Sequence, residues 1–196
     1  MIYTKISEEE IISWLKNNLN EERFLHSLGT AECAKKLAAM YNLSEDKAYI
    51  AGLLHDCAKC FSKDKLISII DKNLNILDSE KTNPKTLHAP VSAYIAKTEF
   101  GIDDNDILSA IRWHTLGKIN MTMFEKIIFL ADKIETNTRI EPYCKKIRTI
   151  LKDTNNIDKA ILECYRQTII SLVDRNLKIC PLTIDIYNEL QAVINS

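Results

Sequence analysis

Glycine and proline are scarce in this chain, with four of each among 196 residues. The backbone is therefore punctuated rarely, and apolar residues recur at three- and four-residue steps. Formal net charge is only −1, which excludes a global basic field able to hold nucleic acid or an anionic membrane. An anionic ligand must then be held by local cations or by a metal. No apolar run approaches membrane-spanning length. The first residues, Met1-Ile2-Tyr3-Thr4-Lys5, lack the apolar core of a secretory signal, and Ser7-Glu8-Glu9-Glu10 follows at once. Six unevenly spaced cysteines do not read as a disulfide framework in a chain able to build its own core, so reduced thiols and a cytoplasmic location are expected. Cys57-Ala-Lys-Cys60 matches C-x-x-C, but a single pair with no strand before it reads as small residues at a helix end.

With 46% hydrophobic and 27% charged residues, the chain has an ordinary soluble composition and the length for one compact domain over 1–196. Ser7-Glu8-Glu9-Glu10 and Thr122-Met-Phe-Glu125 are capping boxes, the first opening a helix through Leu19, the second a helix carrying Asp132. Asn20, Ser44 and Ser62 are expected to cap three more helices: about 21 to 41, a third through Leu53, Leu54 and His55-Asp56, and a fourth carrying Leu66, Ile69 and Ile70. The polar stretch from Asp78 to Thr86 reads as an exposed loop. Pro90 suits the first turn of a helix ending near Gly101. Further helices are expected over 103–115, about 157–177 and 182–194, with irregular chain over 136–142. No stretch reads as a strand, a repeat or an interdomain linker. The fold expected is all-α, a single-domain helical bundle.

Against these absences stands one pattern. The four histidines, His26, His55, His88 and His114, fall in the order His, His-Asp, His, His, and then Asp132. Each lies on or beside an apolar helical run. His26 has Gly29 and Thr30 at i+3 and i+4, so the face around its ring is small and open; taken alone, it also reads as a satisfied core histidine. Asp56 and Asp132 follow Ile50-Ala-Gly-Leu-Leu54 and Ile127-Ile-Phe-Leu-Ala131. A carboxylate entering an apolar core needs a cation, because an unpaired buried charge is very costly. Imidazole nitrogens and carboxylate oxygens suit iron, manganese or zinc, one ion or two. Lys59 shares the face of Asp56 and His55 if that helix continues, as a phosphate partner or a snorkelling surface lysine. Arg112, two residues before His114, points away from it and favours a structural salt bridge. Asp132, Glu135 and Arg139 fall at i, i+3 and i+7, and a helix end at Thr136-Asn-Thr138 swings Arg139 over the site.

The words around these residues carry a resemblance. Ala51-Gly-Leu-Leu-His-Asp-Cys-Ala-Lys59, Leu87-His-Ala-Pro-Val91, Ala110-Ile-Arg-Trp-His-Thr115 and Glu125-Lys-Ile-Ile-Phe-Leu-Ala-Asp132 resemble the HD-domain metal-dependent phosphohydrolases, and within them the YqeK group. Its members hydrolyse diadenosine tetraphosphate symmetrically to two ADP. The likeness runs from about residue 8 to residue 190, with the ligand core over about 20–135. It implies iron, or manganese or another divalent ion, held by His26, His55, Asp56 and Asp132. His88 and His114 would touch substrate phosphates or complete a second metal position. Thr115, Arg139, Ile179 and Pro181 match places where the family contacts ADP, with His26 and Asp132 also at the substrate. Glu135-Thr-Asn-Thr-Arg139 is one residue longer than the family's E-P-N-R, and the match around Cys180 is loose.

The expected reaction is attack of a metal-bound hydroxide on an inner phosphorus, with Asp56, Lys59, His88 and His114 as catalytic groups. Rival expectations are an HD-type phosphatase or phosphodiesterase acting on another nucleotide, an oxygen-using di-iron enzyme, and a nucleotide sensor without turnover. Neither nucleic acid nor membrane is an expected partner. A homodimer remains open, with Trp14 serving either an interface or the core.

Overall fold

The computed structural model describes residues 3–81, 84–139 and 141–195 and, among them, eleven α-helices and no strand. These are α1 (Glu8–Asn18), α2 (Glu21–Met40), α3 (Glu45–Leu54), α4 (Lys63–Asn73), α5 (Asp78–Lys81), α6 (His88–Thr98), α7 (Asn105–Trp113), α8 (Met123–Ile134), α9 (Pro142–Thr154), α10 (Ile157–Asp174) and α11 (Pro181–Asn195). The starts obey local chemistry. Ser7 and Thr122 close reciprocal capping boxes with Glu10 and Glu125, while the side chains of Asn20, Ser44 and Ser62 each accept a first-turn amide. Such caps are typically worth about 1 kcal/mol each.

One contiguous apolar core runs from Ile11 on α1 to Leu190 on α11. At its centre α2 packs against α3 and α8, and α7 closes over α3 and α8. Gly52 permits the tightest of these approaches. A Cβ there would lie 2.8 Å from the Ala31 Cα and 2.9 Å from the Thr30 carbonyl oxygen, so any side chain would force α2 and α3 apart. That crossing is what brings His26 and His55 together. Leu53, Leu54, Ile127, Ile128 and Leu130 are fully buried around it, and truncating any of them to alanine should cost about 2–5 kcal/mol. Trp14, open as interface or core from the sequence, packs into the core edge-on to Phe100, with ring centroids 5.1 Å apart.

Three sequence expectations need correction, and one helix lies where no element was expected. The stretch from Asp78 to Thr86 is not simply an exposed loop: it holds α5 and a short 3-10 turn, and Glu80 is 1% exposed because Arg112 neutralises it (Thr82 and Asn83 lie outside the described residues). The chain after Pro142 forms α9, whose many lysines and arginines masked an apolar stripe of Cys144, Ile147 and Leu151; Ile140, in the irregular stretch before it, also lies outside the described residues. α3 ends at Leu54, and residues 55–60 form successive turns, so Lys59 reaches its partners from a turn and not from a continued helix. Cys57 and Cys60 accordingly sit in turns, Cys57 buried with its thiol against the Ser92 carbonyl; all six cysteines are free. No helix is long and apolar enough to cross a membrane among the described residues.

Candidate metal centre

His26 lies on α2, His55 and Asp56 just past α3, His88 at the start of α6, His114 just past α7 and Asp132 on α8. All six are 5% exposed or less and converge. Ligand atoms of His26, His55 and Asp132 lie within 4.8 Å of one another, as do those of His55, Asp56 and His114, so His55 is common to two overlapping triads.

Three rings have their outer nitrogen committed. His55 Nδ1 donates to the Gly52 carbonyl at 2.6 Å, His114 Nδ1 to the Ile111 carbonyl at 2.7 Å, and His26 Nδ1 to Glu135 Oε1 at 3.1 Å. A neutral ring carrying its proton on Nδ1 presents a bare lone pair on Nε2. Those lone pairs face other acceptors: His26 Nε2 is 3.2 Å from His55 Nε2 and 2.9 Å from Asp132 Oδ1. His88 Nε2 is 3.2 Å from His114 Nε2 and 2.9 Å from Asp56 Oδ1, yet Asp56 Oδ1, fully buried, accepts no hydrogen bond of sound geometry. Acceptors packed against acceptors around an orphaned carboxylate oxygen are what a coordinated cation relieves, and outer nitrogens fixed by carbonyl and carboxylate are the usual support of metal-bound histidine. The residues present therefore fit a divalent metal.

The electrostatics agree. Burial opposes the charged forms of Asp56 and Asp132, but His55 and His88 beside the first, and Lys133 and His26 beside the second, hold both carboxyls well below the usual range. Burial pushes His55 down to about 3 and His88 to about 4. His26 goes the other way: burial disfavours its charge, but the hydrogen bonds to Asp132 and Glu135 outweigh it and raise its pKa.

Four cations ring the centre. Lys59 Nζ lies 3.6 Å from Asp56 Oδ1 and 3.0 Å from His88 Nε2, and Arg23 comes within 3.6 Å of Asp56 Oδ2. Arg139 donates to the Asp132 carbonyl at 2.9 Å and to Oδ1 at 3.1 Å, while Lys133 pairs with Asp132 Oδ2. Against Asp56 and Asp132 this is a local excess of positive charge within a chain of net charge −1, the environment a polyanion seeks. Thr115 Oγ1 lies 2.9 Å from His114 Nε2 and 3.1 Å from His88 Nε2. Beside Lys133 a cavity of about 270 Å³ opens, lined also by Tyr143, Gln167, Thr168, Ser171 and Arg175.

Every sequence-predicted site residue but two is thus gathered here. Ile179 and Pro181, at the entry to α11, make no hydrogen bond or ion pair with the cluster among the described residues; Ile179 is half-buried and Pro181 exposed. Sequence reasoning missed Arg23, Lys133 and the anchoring role of Glu135. Glu135 is fully buried, takes amide hydrogens from Asn137 and Thr138, and fits only because Gly29 leaves room: a Cβ there would lie 2.2 Å from Glu135 Oε2. The small residue at i+3 from His26 was the available signal.

Bundle and centre together define an all-helical, divalent-metal-dependent protein whose candidate metal-facing residues are ordered His, His-Asp, His, His, Asp. The chain belongs to the HD domain family, which matches residues 23–137. Among its relatives is the symmetrical bis(5'-nucleosyl)-tetraphosphatase of Halalkalibacterium halodurans, 40% identical over 90% of this chain and 92% of that protein. The enzyme of the same name from Bacillus subtilis is 35% identical over 94% of this chain and 98% of its own length. A solved structure from Clostridium acetobutylicum, described as a predicted HD superfamily hydrolase involved in NAD metabolism, superposes with a TM-score of 0.89 at 37% identity, covering 95% of this chain and 98% of that one.

Proposed function

We propose that this protein is a metal-dependent hydrolase that cleaves diadenosine tetraphosphate symmetrically into two ADP. The observation that carries the reading is the ring of Arg23, Lys59, Lys133 and Arg139 around a buried set of opposed acceptors. The near full-length likeness to two symmetrical tetraphosphatases supports the substrate.

His26, His55, Asp56 and Asp132 would hold the ion, with His88 and His114 facing phosphate or completing a second metal position. Iron is the proposed metal, in keeping with an all-nitrogen-and-oxygen donor set that also accepts manganese. When bound, the ion supplies Lewis acidity toward phosphoryl oxygens and lowers the pKa of coordinated water.

The chain's own residues do the positioning. Lys59 and Arg139 sit where they can neutralise charge growing on the phosphoryl oxygens, and Lys133 stands between the centre and the cavity beside it. Water attacks an inner phosphorus in line as the bond to the departing ADP breaks. His88, held neutral by burial, orients phosphate through hydrogen bonding and carries no imidazolium proton to give as a general acid. ADP is a good leaving group and needs little acid assistance. Thr115 offers a hydroxyl at the same place, and Ile179 and Pro181 are proposed to meet the nucleoside from the entry of α11. One HD-type domain over 1–196, with its ligand core over about 20–135, houses the whole site.

The test is to purify the protein anaerobically with its metal and supply diadenosine tetraphosphate. ADP as the sole nucleotide product is expected; ATP plus AMP would defeat the proposal. The NAD-linked description of the Clostridium protein favours a second reading, phosphatase or phosphodiesterase action on another nucleotide. Turnover of such a nucleotide with the tetraphosphate ignored would select it.

A further inference from the structure

We infer that Glu80 and Arg112 form a latch that positions His88 against His114, making both positioning residues of the proposed hydrolase; the inference rests on that reading for its catalytic consequence alone. The two terminal nitrogens of Arg112 meet the two carboxylate oxygens of Glu80 at 2.5 and 2.6 Å. Each partner is tied to one histidine. Arg112 sits in the last turn of α7, two residues before His114, with its guanidinium 4.3 Å from the Trp113 ring centroid. Glu80 accepts from the Leu77 amide at 2.8 Å, and its carbonyl takes the Thr86 hydroxyl at 3.3 Å, two residues before His88. The path His88, Thr86, Glu80, Arg112, His114 thus spans two helices that reach the centre from different directions.

Stability alone explains this pair poorly. A buried ion pair is commonly no better than well-packed apolar residues, because desolvation offsets the attraction. What a bidentate arginine–carboxylate pair adds is direction: two parallel hydrogen bonds fix both angle and distance. His114 is already held by the Ile111 carbonyl; His88 is the ring that needs such an external brace. His88 Nε2 and His114 Nε2 stand 3.2 Å apart, and the ring nitrogens of His88 have Lys59, another donor, beside them in place of an anchoring carbonyl.

The experiment compares the metal-loaded wild type with Arg112→Lys, which keeps the charge but loses the paired geometry. Histidine side-chain NMR and turnover of diadenosine tetraphosphate are both measured. The ring signals of His88 and His114 should shift while those of His26 stay in place, and kcat should fall about tenfold with little change in KM. Should Arg112→Lys not fold, the double variant Glu80→Met/Arg112→Met, which removes both charges together, takes its place with the same expectation. Unmoved His88 and His114 signals in a folded variant overturn the latch, as does full kcat in a protein that cleaves the dinucleotide. If the wild type cleaves nothing while the two rings shift selectively, the latch stands and the substrate reading falls.

Discussion

His26 and His88 enter the same cluster, yet the protein treats them in opposite ways. His26 is pinned on both nitrogens: Glu135 takes Nδ1, and Nε2 faces Asp132, itself held by Arg139 and Lys133. Without an ion its charged form is favoured and its pKa is raised; a metal bound at Nε2 would take the place of that proton. His88 has Lys59 beside its ring where an acceptor would fix the tautomer, and burial holds it neutral, down to about 4. One half of the centre is built to keep a ring still for an ion. The other half crowds Nε2 of His88 but puts only Lys59 near its Nδ1, so the ring's proton can answer to whatever binds, which suits a substrate-facing role.

The largest effect should come where the halves meet. Asp56 lies within 3.9 Å of His26, 3.7 Å of His55, 3.4 Å of His114 and 2.9 Å of His88. Asp56→Ala should lose bound metal, by elemental analysis, and lower turnover by ~10³-fold. Retained turnover would mean the halves work without a common ligand. Next comes the contrast itself. His88→Gln should cut kcat by ~10²-fold and keep the metal, while His26→Gln should lose both. Equal loss of metal in the two variants would erase the distinction and favour a second metal at His88 and His114. A milder probe, Glu135→Gln, keeps the shape but weakens the anchor of His26, and should reduce metal affinity about 10–100-fold. If affinity does not change in a metal titration, the pinning of His26 is not what holds the ion.

The buried cluster was legible because its chemistry is rare: few histidines, and aspartates placed after apolar runs, announce themselves against local periodicity. Helix starts were legible because a cap is satisfied within three residues. The anchors were not. Glu135 meets His26 across 109 positions and Glu80 meets Arg112 across 32, and no local pattern separates a carboxylate with a distant partner from one facing water. Arg23 and Lys133 were hidden for the same reason, as ordinary charged residues on helices. α9 was hidden by its basic residues, which obscure an apolar stripe at helical spacing.

Lys133 offers a smaller and more specific test of the substrate-facing side. It pairs with Asp132 Oδ2, and it lines the neighbouring cavity. A metal that engages Asp132 frees the ammonium for phosphate. Lys133→Met should then lower kcat/KM about tenfold, the worth of one charge-assisted hydrogen bond, with metal content unchanged. Loss of metal in place of substrate affinity would move Lys133 to the ligand-holding half.

The smallest effect is also the one that separates the halves by sign. In protein stripped of metal by a chelator, burial holds His55 at about 3 and His88 at about 4, whereas both titrate near 6.5 when unfolded. Between those values the unfolded chain binds more protons, so the stability these rings contribute is whole above pH 6.5 and drains away as pH falls toward 4 and then 3. His26, raised above 6.5, works in reverse: its contribution is full below 6.5 and is lost as pH climbs through the folded value. Asp56 and Asp132, held well below the carboxylate range, keep their contributions until more acidic conditions. Two rings lost against one gained predicts a melting temperature lower at pH 5 than at pH 7.5, on the order of 5 °C. His55→Gln and His88→Gln should each flatten that slope and His26→Gln should steepen it. A slope that all three variants change in the same direction would show that the rings share one electrostatic environment, and the contrast between His26 and His88 would be lost.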